Sequence, residues 1–238
     1  MRRAEAALDR FDPRVLLAVA LAASGVLLLV LLSHLSFFGD DWDPLLYRRG
    51  FNLDVLLRPH VEHILLGPTL IYKGIQATIG MESLIPYAIV STASFLASVV
   101  LLFLYLRRRV GDWLALACVL PLLFMGTAWE VLLWPFEVSF TASMATGIGA
   151  LLALERGDGR GEALACALLV VSVAFSELAL SFALGAAVSM ILARRPLSRA
   201  YVIVVPVVLY AVWYAGWGHT AQNHVSLYNL VHSPIYVP

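Results

Sequence analysis

From Val15 to Phe38 the chain runs through twenty-four residues without one formally charged side chain. A helix of about 20 apolar residues already crosses the hydrocarbon core of a bilayer. Inside that core no water is available to backbone N–H and C=O groups, so a helix is the conformation this run requires. A secretory signal has a shorter apolar core followed by a small-residue cleavage site. Residues 1–14, with Arg2, Arg3, Arg10 and Arg14, therefore read as a basic cytoplasmic N-terminus, and 15–38 as an uncleaved first span.

Comparable runs recur. Leu84–Leu106 is one, and Trp113–Thr127, Ser139–Leu154, Ala163–Phe175, Leu178–Ala193 and Tyr201–Trp217 follow it. The 238 residues are 61% hydrophobic and 13% charged, whereas a soluble domain carries roughly a quarter charged residues. The expectation is an all-α, polytopic transmembrane helical bundle forming one domain over 1–238. Cys118 and Cys166 lie inside apolar runs and read as small core residues. The chain has neither a glycine-rich phosphate loop nor a nucleic-acid module, so soluble nucleotide chemistry and nucleic-acid partners have no support.

Residues 39–82 differ in character. Short apolar groups, Leu53–Leu57 and then Val61, Ile64–Leu66, Leu70 and Ile71, are interleaved with charges. They suit helices lying on a membrane surface, or else Ile64–Met81 crosses with Lys73 near its middle. The excess of Lys and Arg on the cytoplasmic side separates the two options. With a surface loop, 12 of the 16 Lys and Arg fall inside, and only Arg48, Arg49, Arg58 and Lys73 remain outside. This gives seven spans: the first, six more within 83–217, and an outer polar tail over 218–238. Pro121, Pro135 and Pro206 mark kinks or helix ends.

With that topology, Asp40, Asp41, Asp43, Glu130, Glu137 and Glu177 gather on the outer face with His60, His63, His219, His224 and His232. Tryptophans at span ends, such as Trp129, Trp134 and Trp217, usually anchor the interface, and the histidines of the tail read as solvated. Glu177, in a brief turn between two apolar runs, needs a partner or a wet cavity. His60 and His63, three residues apart, would share a helix face. A divalent cation could sit between them and Asp40 or Asp41, but a structural or substrate-contact role is preferred. Asp40 and Asp41 are adjacent carboxylates at the end of a span. Their mutual repulsion tends to raise one of them towards the range of a useful base.

With Gly39-Asp40-Asp41-Trp42 closing the first span, a long outer loop with helical pieces at Leu53–Leu57 and His60–Ile79, and six further spans, the chain resembles the GT-C class of membrane glycosyltransferases. The likeness covers essentially the whole chain and rests on architecture plus the acidic pair. Members of the class usually continue with more spans or an outer domain, so this chain reads as the seven-span module alone. The resemblance implies a multi-pass protein of the plasma membrane, with a polyprenyl-phosphate-linked sugar as donor. The acceptor would be a hydroxyl on a glycan, lipid or protein, and transfer would occur on the extracytoplasmic face. It further implies that the residue matching Asp40 or Asp41 is the general base and that the sugar carbon inverts. A leaving phosphate calls for cationic donors; Arg48, Arg49, Arg58, Lys73, His60 and His63 are available, with Trp42, Glu137 and Glu177 completing the substrate-binding set. Arginine-rich loops and a single lysine suggest a high-GC bacterium and a role in its cell envelope.

Two other classes fit the same chain. A transporter or flippase-like carrier would place charges mid-span and show internal repeats, but here the charges gather at span ends and no repeat is evident. A non-catalytic accessory subunit of cell-envelope assembly is the other.

Overall fold

The computed structural model describes residues 12–220, and over them the protein is all-α. The basic residues before Asp12 and the histidines His224 and His232 lie outside that range. Helix α1, Pro13–Leu32, starts where Pro13 presets the first turn and the Asp12 carboxylate accepts from the Arg14 N–H at 2.8 Å. The long polar loop follows, with α2 (Leu53–Leu57) and α3 (Leu66–Thr78). Then come α4 (Ile85–Val110), α5 (Asp112–Leu123), α6 (Trp129–Leu133), α7 (Val138–Leu154), α8 (Gly159–Phe175), α9 (Leu178–Leu192) and α10 (Tyr201–Gly216).

Each of the seven expected spans coincides with a helix, but seven full crossings do not result. Among the described residues three helical segments are long and apolar enough to cross a membrane: Pro13–Leu32, Ile85–Val110 and Pro135–Leu154. The pair Asp112–Leu123 and Gly126–Leu133, bent by 51°, brings the number to four if it counts as one broken span. Helices α9 and α10 are apolar but shorter, with 15 and 16 residues. At 1.5 Å per residue they reach about 22–24 Å, short of a hydrocarbon core of roughly 30 Å. The first span also ends early: the helix stops at Leu32, and residues 33–38 leave it in a turn closed by Ser33 and His34 N–H bonds to Leu29 and Leu31.

Helices α4 and α7 form the centre. α4 packs on α1, α5 and α7, while α7 also meets α8 and α9, and α10 closes against α8. Small residues on α7 (Ser143, Gly147 and Ala150 among them) let its backbone approach its neighbours closely, the usual device where lipid supplies no hydrophobic drive between helices. The Ser143 and Ser172 hydroxyls meet at 2.8 Å across α7 and α8. A Cβ on Gly147 would stand 2.1 Å from the Phe182 ring of α9. Gly147→Ala should therefore force the ring aside and cost about 1–3 kcal/mol, read as a lowered midpoint of unfolding in detergent. An unchanged midpoint would show that α7 and α9 do not approach this closely.

The outward surfaces of the helices are apolar, with Val19 62%, Leu184 67%, Ile191 73% and Val212 59% exposed. Such surfaces suit lipid rather than water. The two ends of the bundle differ in charge. One is basic and bound by ion pairs: Arg107 and Arg14 on Asp112, Arg108 and Arg109 on Glu155, and Arg199 on Glu162. The opposite end carries the long loop between α1 and α4. There α10 holds the loop through its tryptophans, Trp213 Nε1 donating to the Leu57 carbonyl at 2.8 Å and Trp217 Nε1 to Asp54 at 3.0 Å.

Candidate functional site

The acidic stretch after α1 folds as a tight turn. Gly39 has φ +55°, a conformation that disfavours side chains, and a Cβ there would press on Trp134 at 2.8 Å. Phe38 stacks on the same indole with ring centroids 5.0 Å apart. This turn sends the two adjacent carboxylates to different places. Asp41 is fully buried; it accepts from the Tyr72 hydroxyl at 2.5 Å and from the Phe38 N–H at 3.1 Å. Burial pushes the Asp41 carboxyl up, and the bonds from Tyr72 and Phe38 only partly oppose it. The Trp134 indole N–H pulls more weakly, its geometry falling short of a full hydrogen bond. Burial and the neighbouring Asp41 hold the Tyr72 phenol protonated well beyond its ordinary range. Leu45, Tyr72, Tyr87, Val138 and Ala142 form the apolar core beneath.

Asp40 faces the other way, its side chain 45% exposed, and lines a cavity of about 140 Å³ together with His60, Val61, His63, Glu137 and Phe140. This volume is below the roughly 300–1,000 Å³ of drug-sized pockets, so it suits one small polar moiety. His60 Nε2 lies 3.3 Å from Asp40 Oδ2, while its Nδ1 lies 3.5 Å from Asp43 Oδ2, so the imidazole bridges two carboxylates. His63 Nδ1 lies 2.7 Å from Glu177 Oε1, at hydrogen-bond length but out of line. Glu137 Oε2, in the cavity wall, and Glu177 Oε2, behind His63, are buried without a hydrogen-bond partner among the described residues, while His60 Nε2 and His63 Nδ1 keep the ion-pair contacts just given. Buried polar atoms normally find partners in protein or water. The unpartnered Glu137 oxygen in its wall marks the cavity as a place for a polar guest.

The two histidines do not share a helix face. His60 and His63 form a small antiparallel bridge, His60 N–H to His63 C=O at 3.0 Å and the reverse at 2.8 Å, around the turn Val61-Glu62. The expected helix over His60–Ile79 begins only at Leu66, since Pro68 lacks an N–H and fits only a first turn. Val61 carries φ +53°, unusual for a β-branched residue and a local strain of the kind that collects at working sites.

Asp43 is the organiser of the loop. It meets Arg48 Nε at 2.5 Å and Arg58 Nη2 at 3.4 Å, in addition to His60. Burial would raise its carboxyl, but the His60 contact and then Arg48 outweigh burial and hold it below its ordinary range. His60 is raised, first by its contact with Asp43 and against the effect of burial. The Arg48 side chain is wholly buried, with Nη1 donating to the Val55 and Arg58 carbonyls at 3.2 and 2.6 Å. Lys73 is also buried, donating to the Arg48 carbonyl and lying 4.9 Å over the Phe51 ring. Trp42 packs on Phe37 at 5.8 Å. Arg49 is exposed and reaches only the Leu46 carbonyl, and Arg58 is half exposed. Of the residues singled out in the sequence, Asp40, His60, His63 and Glu137 line the cavity, and Glu177 joins through His63. Arg48, Lys73 and Trp42 instead hold the loop together.

No protein-family model, curated protein or solved structure matches this chain. Among the described residues no group of three or more His, Cys, Asp or Glu side chains is arranged to hold a metal ion. The cavity offers a carboxylate open to solvent at Asp40, and two imidazoles whose partners favour the charged form. Carboxylate and imidazole groups thus face one another across the cavity, each imidazole already paired with at least one carboxylate.

The His63–Glu177 contact joins the loop to the turn between α8 and α9, and it should be sensitive to pH. Glu177 raises His63 above its ordinary 6.5, against burial. That share of stability is complete below about pH 6.5 and is lost as pH rises through the raised value. Burial raises Glu177, but the His63 bond outweighs it and holds the carboxyl below 4.5. That share is present above about pH 4.5 and is lost as pH falls through the lowered value. Glu177→Gln should thus destabilise the protein at about pH 5.5 and much less at about pH 9. The His63 imidazole titration, followed by nitrogen NMR, should return towards its ordinary range. An unchanged titration would mean that the two side chains do not pair.

Proposed function

We propose that this protein is an integral membrane glycosyltransferase of GT-C type, transferring a sugar from a polyprenyl-phosphate donor to an acceptor hydroxyl at the membrane surface. The observation that carries this reading is the position of Asp40. It is the member of the acidic pair that lines the cavity, 3.3 Å from an imidazole that favours the cationic state. In the reaction, an Asp40 carboxylate oxygen takes the acceptor's hydroxyl proton. The hydroxyl oxygen bonds to the anomeric carbon as that carbon's bond to the phosphate oxygen breaks, and the configuration inverts. Polyprenyl phosphate leaves, its growing charge met by the His60 and His63 imidazolium groups, which act as preorganised donors. Because the donor's tail stays in lipid, the reaction belongs at the end of the apolar helices, where the cavity lies. On this reading the cavity faces the extracytoplasmic side of a bacterial plasma membrane, with Glu137 and Glu177 contacting sugar hydroxyls.

The test is incubation of the purified protein in nanodiscs with a panel of polyprenyl-phosphate sugars and simple alcohol acceptors. Acceptor-dependent release of polyprenyl phosphate, with a product of inverted anomeric configuration, is the expected result. Movement of the intact lipid-linked sugar across liposomes, with no covalent product, would make the protein a carrier instead.

A further inference from the structure

The basic end of the bundle carries a second cavity that sugar transfer does not use. It measures about 180 Å³ between α4, α7 and α9, and its walls include Tyr105, Arg109, Glu155, Glu162, Met190 and Arg195. Two guanidinium groups and two carboxylates line it, and Arg108 and Arg199 reach the same carboxylates from outside, four guanidinium groups in all. Arg108 and Arg109 hold Glu155 at 2.5 and 2.6 Å, while Arg199 and Arg195 approach Glu162 at 2.5 and 3.8 Å. The surplus is positive. Arg109 is fixed, lying flat on Tyr105 at 3.6 Å. Arg195 makes one hydrogen bond, to the Gly157 carbonyl at 3.0 Å, and is 28% exposed, so further N–H donors of its fork remain for another acceptor.

A third cavity, of about 230 Å³, adjoins this one and shares Met190 and Arg195 with it. Its other walls are apolar, among them Ala187, Ile191, Leu197 and Ile203 between α9 and α10. The ledge around it is among the most exposed apolar surface of the protein: Ile191 73%, Leu192 78% and Leu197 91%. A polar cup set in an arginine-rich cluster thus opens into an apolar groove, with Arg195 at the junction. A free anion would use only the cup and a detergent-like chain only the groove; one molecule with an anionic head and a hydrocarbon tail uses both.

We infer that this end of the protein binds an anionic glycerophospholipid of its own membrane, the headgroup phosphate on Arg195 beside Arg109 and an acyl chain in the groove between α9 and α10. Arginine suits this role because its planar fork pairs with phosphate through parallel hydrogen bonds. Basic pockets between membrane helices are the expected seats for such lipids. The bound lipid would also fill the groove that the short helices α9 and α10 leave between them.

The test is native mass spectrometry of the protein released from nanodiscs of mixed phosphatidylglycerol and phosphatidylcholine. Preferential, saturable retention of phosphatidylglycerol is expected. Arg195→Gln should weaken retention about five- to tenfold, the effect of one arginine at a lipid surface. Should Arg195→Gln unfold the protein, Ala187→Leu, which narrows the groove without touching a charge, must still reduce phosphatidylglycerol retention. It must also leave the weak binding of inorganic phosphate unchanged. Equal retention of the two lipids overturns the inference. So does Ala187→Leu with unaltered lipid binding, since the cup would then take phosphate without a tail.

Discussion

Asp40→Asn should reduce sugar transfer by roughly a hundred- to ten-thousand-fold, the usual contribution of a positioned general base. The midpoint of thermal unfolding should stay where it is in the parent protein. Asparagine is nearly isosteric, and the Asp40 side chain is 45% exposed and ion-paired with His60. The folded state therefore loses little, while the acceptor's proton loses its destination. Asp41→Asn should do the reverse in kind. Asp41 is fully buried and accepts through one oxygen from Tyr72 and through the other from the Phe38 N–H. An amide has only one acceptor oxygen; with that oxygen on the Phe38 N–H, its NH₂ faces Tyr72, whose hydroxyl can accept but whose own O–H is then left without an acceptor. An unsatisfied buried group costs about 1–3 kcal/mol, so this variant should be less stable. What activity it keeps should follow the fraction that remains folded. Full activity in Asp40→Asn, with loss confined to a well-folded Asp41→Asn, would reverse the assignment within the pair.

The largest loss of stability should follow removal of Arg48. Its guanidinium is buried against Asp43 and donates to the carbonyls of Val55 and Arg58. Arg48→Ala leaves a largely buried carboxylate with only Arg58 and His60, strands two carbonyls, and opens a cavity where the side chain was. Breaking one partner of a buried ion pair costs about 3–5 kcal/mol. Arg48→Lys should recover only part of that loss, because an ammonium cannot reproduce the fork that spans Asp43 and two carbonyls. The measurement is unfolding of the purified variants in one detergent, set beside the KM for donor in whatever fraction remains folded. An unchanged midpoint with a raised KM would make Arg48 a phosphate-binding group instead of the clasp of the loop.

Much of this architecture is legible in the sequence, for definite reasons. Long uncharged runs have only one acceptable conformation in lipid, so a helix was readable wherever such a run occurred. How far each helix reaches was not. The helix ending at Leu32 and the bend after Leu123 depend on where tertiary neighbours take over the freed backbone groups: Ser24 Oγ, for example, reaches across to the Leu123 carbonyl at 2.8 Å. Seven apolar runs therefore became three or four membrane-length helices plus shorter ones.

The candidate site divides in the same way. Charges on a short segment beside an apolar run revealed that Asp40, His60 and His63 belong together. Neither spacing nor composition distinguishes an outward carboxylate from an inward one, and Asp40 and Asp41 separate only because Gly39 turns the chain beneath Trp134. Arg48 and Lys73 look the same as any exposed cation until the loop closes over them. Tyr72, which completes the burial of Asp41, lay in a segment whose amphipathic pattern said nothing about a bond to a carboxylate 31 residues away. Asp43 was visible as part of the acidic stretch, but its grip on Arg48, Arg58 and His60 requires the folded loop.

On the proposed function, the donor's sugar sits in the cavity bounded by Asp40, His60, His63 and Glu137. The most direct test is photocrosslinking with a polyprenyl-phosphate sugar that carries a diazirine on the sugar ring, followed by peptide mapping. Adducts are expected on Val61, Phe140 and their immediate neighbours, suppressed by excess unlabelled donor and preserved in Asp40→Asn. Saturable adducts at the basic end around Arg195, or labelling restricted to the lipid-facing surfaces of α1 and α10 and indifferent to competitor, would contradict that placement.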